Sequence, residues 1–169
     1  MEIIENVKER GVLLPLSILR IIIGFMLVWG FIDKLFGLGM ETPPGQGMID
    51  GGSPTHQFLV YNDGWFSGFF NWMAGYSDIA DILLMAGLLF IGVGLMLGIA
   101  TKLSVLFGSM IMIMFFLAVF PISDNPLVDY HIVYVFVLIA IWVSNAGSYL
   151  GLGEKWNELS IVKRFPILE

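Results

Sequence analysis

Apolar residues run almost without interruption through four stretches of the chain, and each stretch predicts a membrane-spanning helix. Each is close to the roughly 20 residues that a hydrocarbon core requires. The turn between the second and third stretches is so short that these helices must be antiparallel neighbours. We therefore predict an all-α, integral membrane four-helix bundle forming a single transmembrane domain over residues 1–169. The predicted spans cover residues 13–36, 78–98, 102–120 and 126–150.

Residues 37–77 form a connection far longer than a helical hairpin needs, and such length usually carries function or a substructure. We expect a long extracytoplasmic loop containing short helices, one of them capped by Ser53 with Pro54 at its first position. The aromatic stretch 65–73 is too short to cross a membrane. It belongs at the headgroup level or over the mouth of the bundle. The favoured interpretation is a lid, and the alternative is a plain interfacial anchor.

Charged and apolar residues alternate in both terminal segments, 1–12 and 154–169, which predicts interfacial tails. Small residues predict where helices approach closely. Gly87, Gly94 and Gly98 form a smooth edge on the second span. The Gly94-x-x-x-Gly98 spacing is typical of helix packing in membranes.

Polar residues share one face of the fourth span, which is otherwise apolar. This face carries His131, Tyr134, Trp142, Asn145 and Tyr149. A polar stripe inside a bilayer is costly unless it meets a bundle interior, a pore or a ligand, so we expect it to face inward. On the first span, Arg20 and Lys34 also share a face, about 21 Å apart along the helix axis.

Composition agrees with the membrane class and limits the cofactors that the chain could bind. The chain is 57% hydrophobic and 13% charged, with a mean hydropathy of +0.86 and a formal net charge of −6. It has no cysteine, which excludes thiolate-bound iron–sulfur clusters. His56 and His131 are the two histidines, one in the loop and one on a span, so neither haem nor a metal site is predicted. No glycine-rich nucleotide loop is present, and scattered cations on an acidic chain argue against nucleic-acid binding.

The distribution of lysine and arginine predicts orientation. Six cations lie in the terminal segments and the second turn, whereas residues 37–77 and 121–125 carry none. Both termini of this multi-pass protein are therefore expected on the cytoplasmic side of the cell membrane. The six are Lys8, Arg10, Lys102, Lys155, Lys163 and Arg164.

This topology places the polar residues of the first and fourth spans in two layers. The outer layer contains Lys34, Asp129, His131, Tyr134 and, less directly, Asp81, and the inner layer contains Arg20, Asn145 and Tyr149. Residues of both layers could instead have purely structural roles. Arg20 could pin the first span to the fourth through Asn145, and His131 could be a satisfied interfacial histidine.

The outer layer suits a quinone headgroup, which needs donors at its carbonyls, a proton-exchanging group and apolar walls. His131, Tyr134 and Lys34 supply donors, and Asp129 or His131 can exchange protons with the outer solution. We predict catalytic roles for His131, Asp129 and Lys34. The predicted quinone-binding residues are His131, Tyr134, Lys34, Arg20 and Asn145.

Several short motifs, in this order and spacing, resemble the DoxX/DoxD family of four-helix membrane proteins over residues 13–153. They are Leu19-Arg20-x-x-x-Gly24 with Asp33-Lys34-Leu35, the turn from Gly94 to Lys102, the segment from Asn125 to Tyr134, and Asn145-Ala146-Gly147. The resemblance implies a subunit of a quinone-linked redox complex. The family's DoxD-type members point to the thiosulfate:quinone oxidoreductase type, working with a partner subunit such as a DoxA-like protein. It leaves open whether this chain is itself an enzyme.

Two other interpretations remain at this stage. One is a non-catalytic membrane scaffold or accessory subunit of a larger assembly, which would use the glycine edges and the loop as docking surfaces. The other is a small-solute channel or transporter with a water-filled path between the two polar layers.

Overall fold

The computed structural model describes residues 2–122 and 127–169. Over this part of the chain the protein is all-helical and has no strand, which confirms the predicted α class. The helices are α1 (Glu2–Phe36), α2 (His56–Val60), α3 (Ser67–Ala74), α4 (Ser77–Leu97), α5 (Thr101–Val119), α6 (Tyr130–Val143), α7 (Gly153–Asn157) and α8 (Ser160–Arg164).

Three helices are long and apolar enough to cross a membrane, as the hydrophobic pattern predicts. They are the Gly11–Phe36 part of α1, α4 and α5. At about 1.5 Å per residue, the 19 residues of α5 extend about 28 Å, close to the thickness of a hydrocarbon core. The protein is therefore a membrane protein.

The fourth apolar stretch forms a shorter helix than predicted. α6 has 14 residues, about 21 Å, because the chain leaves the helix after Val143 and Asn145 takes a positive φ of 53°. The predicted start at Pro126 lies outside the described residues. Within them, α6 begins at Tyr130, and the Asp129 carboxylate caps it by accepting the N–H groups of His131 and Ile132 at 3.1 and 3.4 Å.

The long helices pack in sequence around one apolar core. α1 lies along α4, α5 packs against both α4 and α6, and α6 also meets α1. The core cluster contains residues from all four helices and one from the turn after α6. They are Ile23, Ile91, Leu95, Val105, Leu138 and Ile141, with Ala146 in the turn. The loop end is defined as the end that carries residues 37–76, and the tail end as the end that carries residues 98–100 and 144–169.

The closest approach between α1 and α4 uses glycines other than the predicted edge. A Cβ atom on Gly92 would lie 2.7 Å from a Val28 methyl carbon, and one on Gly24 would lie 2.7 Å from the Gly92 carbonyl oxygen. By contrast, Gly94 faces Ser104 of α5, and Gly98 ends α4 with a φ of +73°. In the predicted Gly94-x-x-x-Gly98 edge, Gly94 therefore lies against α5 and Gly98 lies against the Arg20 side chain of α1, while Gly24 and Gly92 make the close backbone approach between α1 and α4.

The two terminal segments join the helices in different ways. Residues 2–12 are not a separate surface helix, since α1 continues unbroken from Glu2. The tail folds back on the start of α5, where the Lys102 N–H donates to the Glu169 carbonyl at 2.8 Å. Within this tail, Trp156 Nε1 donates to the Leu168 carbonyl at 2.6 Å.

Candidate functional site

Two buried carboxylates fasten the loop to the helices at the loop end. The first is Asp33 in the last turn of α1, which is 1% exposed. Its oxygens accept the backbone N–H groups of Met40, Glu41 and Thr42 at 3.2, 3.1 and 2.8 Å. Because one carboxylate satisfies three consecutive donors, the chain turns back over the end of α1 in a defined conformation.

The second carboxylate is Asp81 of α4, which is 4% exposed. It accepts the Thr55 N–H at 2.8 Å and the Thr55 hydroxyl at 2.7 Å. These bonds hold α2, which begins at His56, against the start of α4. Asp81 therefore has a structural partner and is not among the residues that line the cavity below.

A cavity of about 750 Å³ lies beneath this fastened loop. Its walls come from α1, α2, α4, α5 and α6, with one residue from α3, and are mainly aliphatic, methionine and aromatic side chains. Examples are Leu27, Phe58, Leu84, Ile111, Met112 and Phe115. The charged and titratable side chains in its lining are Lys34, Glu41, Tyr130, His131 and Tyr134.

His131 is 6% exposed and lies where the first turn of α6 meets α5. Its Nδ1 is hydrogen-bonded to Oδ2 of Asp129, whose other oxygen caps the helix. The imidazole ring lies 5.7 Å from the Phe115 ring and 4.1 Å from the Tyr130 ring, measured between centroids. The carboxylate fixes the orientation of the imidazole, and the aromatic rings limit its exposure to water.

Lys34 reaches the same cavity from α1. Its ammonium is 2.6 Å from the Glu41 carboxylate, which belongs to the loop segment that Asp33 holds. Lys34 is largely shielded, with 19% of its side chain exposed, whereas 77% of the Glu41 side chain is exposed. Sequence reasoning missed Glu41, although it is the first acid after Lys34.

Tyr134 lies one turn beyond His131 on α6 and faces α1, where its hydroxyl is 3.9 Å from the Met26 sulfur. Lys34, His131 and Tyr134 thus line one cavity. Asp129 adjoins it through His131. These four residues of the predicted outer layer are thus close in space and Asp81 is not among them, while their chemical role remains a prediction.

The predicted inner layer is not brought together. Arg20 is fully buried, and its guanidinium donates only to backbone carbonyls within the described part of the chain. These belong to Leu95, Met96, Ala146 and Leu150. The expected link to the Asn145 side chain is absent, because the positive φ at Asn145 turns that residue to the surface.

Asn145 instead accepts the Ser148 hydroxyl at 3.3 Å and lines a separate polar cavity of about 280 Å³ at the tail end. Arg20 and Asn145 are therefore in different surroundings from the cavity that contains His131. Neither lines it, so their predicted part in quinone binding has no geometric support.

The aromatic stretch does not form the roof that the lid interpretation expects. From residues 65–73, Met73 alone lines the cavity. The roof comes from Glu41 and from Pro54, Thr55, Gln57, Phe58 and Leu59.

Among residues 2–122 and 127–169, no group of three or more histidine or acidic side chains is placed to hold a metal ion. No protein-family model, curated protein or solved structure matches the chain.

Proposed function

We propose that the chain is a four-helix membrane subunit of a quinone-linked redox complex, of the DoxX/DoxD type, and that its loop-end cavity binds a quinone. The observation that carries this proposal is the combination of Lys34, His131 and Tyr134 in the lining of one largely apolar cavity. Ligand sites are typically concave and apolar, with a few polar groups that fix orientation.

The dimensions and chemistry of the cavity fit such a ligand. Its volume of about 750 Å³ falls within the usual range for small-molecule sites. The ammonium of Lys34 and the hydroxyl of Tyr134 are donors for quinone carbonyl oxygens. The aliphatic and methionine walls suit an isoprenoid chain, because methionine adapts its shape to irregular apolar ligands.

The Asp129–His131 pair supplies proton chemistry in this proposal. Reduction of a quinone to a quinol takes up a pair of electrons and a pair of protons. His131 donates one proton to a quinone oxygen and, after taking up a proton from the outer solution, donates the second, while the Asp129 carboxylate holds the imidazole in position. In the proposal a partner such as a DoxA-like subunit supplies the electrons, and because this chain has no cysteine, a thiol or persulfide relay would belong to that partner.

The orientation follows from the lysine and arginine distribution. Both termini and the tail end face the cytoplasm, and the loop end faces the outside of the cell membrane. In this arrangement the protons of the reaction exchange with the outer solution.

Paired substitutions test the proposal in membranes that contain the native complex. We expect His131→Gln to lower substrate-dependent quinone reduction by about 100-fold or more, since a positioned acid or base contributes that much. His56→Gln, which changes an exposed histidine on α2, is the matched control. Equal rates for the two variants, with normal assembly of both, would remove His131 from the site.

Lys34 is tested in the same way. Lys34→Ala should raise the quinone concentration needed for half-maximal rate by roughly tenfold or more, the value of a charged hydrogen bond. Lys102→Ala, which removes a lysine paired with Glu169 at the tail end, should leave that concentration unchanged. If Lys102→Ala raised that concentration and Lys34→Ala did not, the quinone site would lie at the tail end, and the proposal would be wrong.

A scaffold function is the second candidate, and one observation favours it. Arg20, Asp33 and Asp81, the most buried charges in the described residues, all bond to backbone or to loop groups. In that role the chain would hold partner subunits without binding a quinone. Co-purification of the complex with a full partner set and no bound quinone, together with wild-type rates for His131→Gln, would favour it.

A further inference from the structure

The aromatic residues around α3 form a surface that the proposed quinone site does not use. Phe70 is buried at 1% exposure and packs against Leu59 and Ala118, which fixes α3 to the body of the protein. The rings on the other side point outward. We call them the aromatic ridge; its members are Trp65, Phe66, Phe69, Trp72 and Tyr76, which are 74, 41, 53, 62 and 55% exposed.

Contacts within the protein place the ridge at the level where two spanning helices end. The Trp65 ring lies 4.9 Å from the ring of Phe120, the residue that follows α5. The Trp72 ring lies 5.4 Å from the ring of Tyr76, the residue that precedes α4. Since α5 is about as long as a hydrocarbon core is thick, its ends mark the two headgroup regions.

The ridge is also continuous with the exposed apolar face of a spanning helix. Directly after Tyr76, α4 exposes Ile79, Ile82 and Leu83 to 59, 60 and 67%. The stretch 64–77 contains no charged residue. Three members of the ridge are tryptophan or tyrosine, whose rings have an apolar body and a polar tip and prefer the membrane interface.

We infer that the aromatic ridge is a membrane anchor, in which α3 lies in the headgroup region of the leaflet at the loop end and its rings contact lipid. The partner of this surface is the lipid layer itself. The inference rests on the membrane class of the protein and does not depend on a quinone in the cavity.

Fluorescence quenching of the full-length protein in phosphatidylcholine vesicles tests the inference. The variant keeps Trp72 and carries Trp29→Phe, Trp65→Phe, Trp142→Phe and Trp156→Phe. Bromine near the headgroup end of the lipid chains should quench more Trp72 emission than bromine near the chain terminus. Aqueous iodide should quench little.

Two other outcomes overturn the inference. Strong quenching by iodide with none by brominated lipid would show that the ridge lies in water, as a lid would. Protection from both quenchers would show that it is covered by protein, either a second copy or a partner subunit.

Spin labelling provides a second measurement that leaves all tryptophans in place. The chain has no cysteine, so Gly68→Cys gives a single label site, and a side chain there meets nothing within 4 Å. The label should be more accessible to oxygen than to a water-soluble nickel complex. Asp50→Cys, on the exposed acidic loop, is the control and should show the opposite preference. Equal preferences at both sites would reject the anchor.

Discussion

The buried guanidinium of Arg20 gives the sharpest prediction about stability. The last four carbonyls of a helix have no partner within it. In α4, Gly94 accepts N–H groups from Gly98 and Ile99, Leu97 accepts one from Leu152, and Arg20 donates to the remaining two, Leu95 and Met96. Arg20 thus completes the end of α4 and ties it to the chain after α6.

The loss of unfolding free energy in Arg20→Met follows from the backbone carbonyls that no longer receive a hydrogen bond. The Ala146 carbonyl keeps a donor, the Ser17 hydroxyl at 3.1 Å, whereas the carbonyls of Leu95, Met96 and Leu150 lose theirs. An unsatisfied buried acceptor costs about 1–3 kcal/mol, and the second and third of these are only partly buried. Removing a buried charge offsets part of this loss. We expect a net loss of about 2–4 kcal/mol.

Reversible unfolding in mixed micelles of mild detergent and dodecyl sulfate measures this loss. Leu19→Met is the matched control, because it introduces the same residue at a neighbouring, partly exposed position of α1. Equal unfolding free energies for the two variants would refute the capping role. An Arg20→Met protein that is stable and assembles but cannot reduce quinone would instead show that Arg20 has a role in quinone binding or reduction.

Three further predictions concern packing and the loop. Gly92→Ala should lower the unfolding free energy by about 1–3 kcal/mol through overpacking, and Gly30→Ala, where a Cβ meets nothing within 4 Å, should not. Asp33→Asn should raise amide hydrogen exchange at residues 40–42, because an amide oxygen cannot replace a carboxylate that accepts three N–H groups, while Asp50→Asn on the exposed loop should have no effect. Thr55→Val should raise exchange in α2 by removing one of two bonds to α4; unchanged exchange would show that packing alone holds that helix.

Hydrophobic runs were sufficient to predict the all-α class and three long helices, because twenty apolar residues have few other stable environments. They could not predict where the fourth helix ends. The residues after Val143 are apolar enough to continue it, but the backbone turns at Asn145. That turn brings Ala146 and Leu150 to Arg20, a tertiary contact that periodicity does not contain.

The outer polar layer was predicted better than the inner one, because its residues lie on regular helices. Lys34, His131 and Tyr134 lie on regular helices that pack side by side, so helical geometry was enough to place them around one cavity. Asn145 lies beyond the helix, where the same geometry no longer applies. Glu41 was missed because its position depends on the bonds that Asp33 makes to the loop backbone.

Photolabelling tests the central claim, that the loop-end cavity binds a quinone, most directly. A photoreactive quinone analogue is added to the native complex, and the labelled peptides are identified by mass spectrometry. We predict labels on the segments that contain Lys34, Phe58, Phe115 and Tyr134, with protection by excess unlabelled quinone. Labelling confined to the tail-end cavity near Asn145, or labelling that unlabelled quinone does not reduce, would contradict the account.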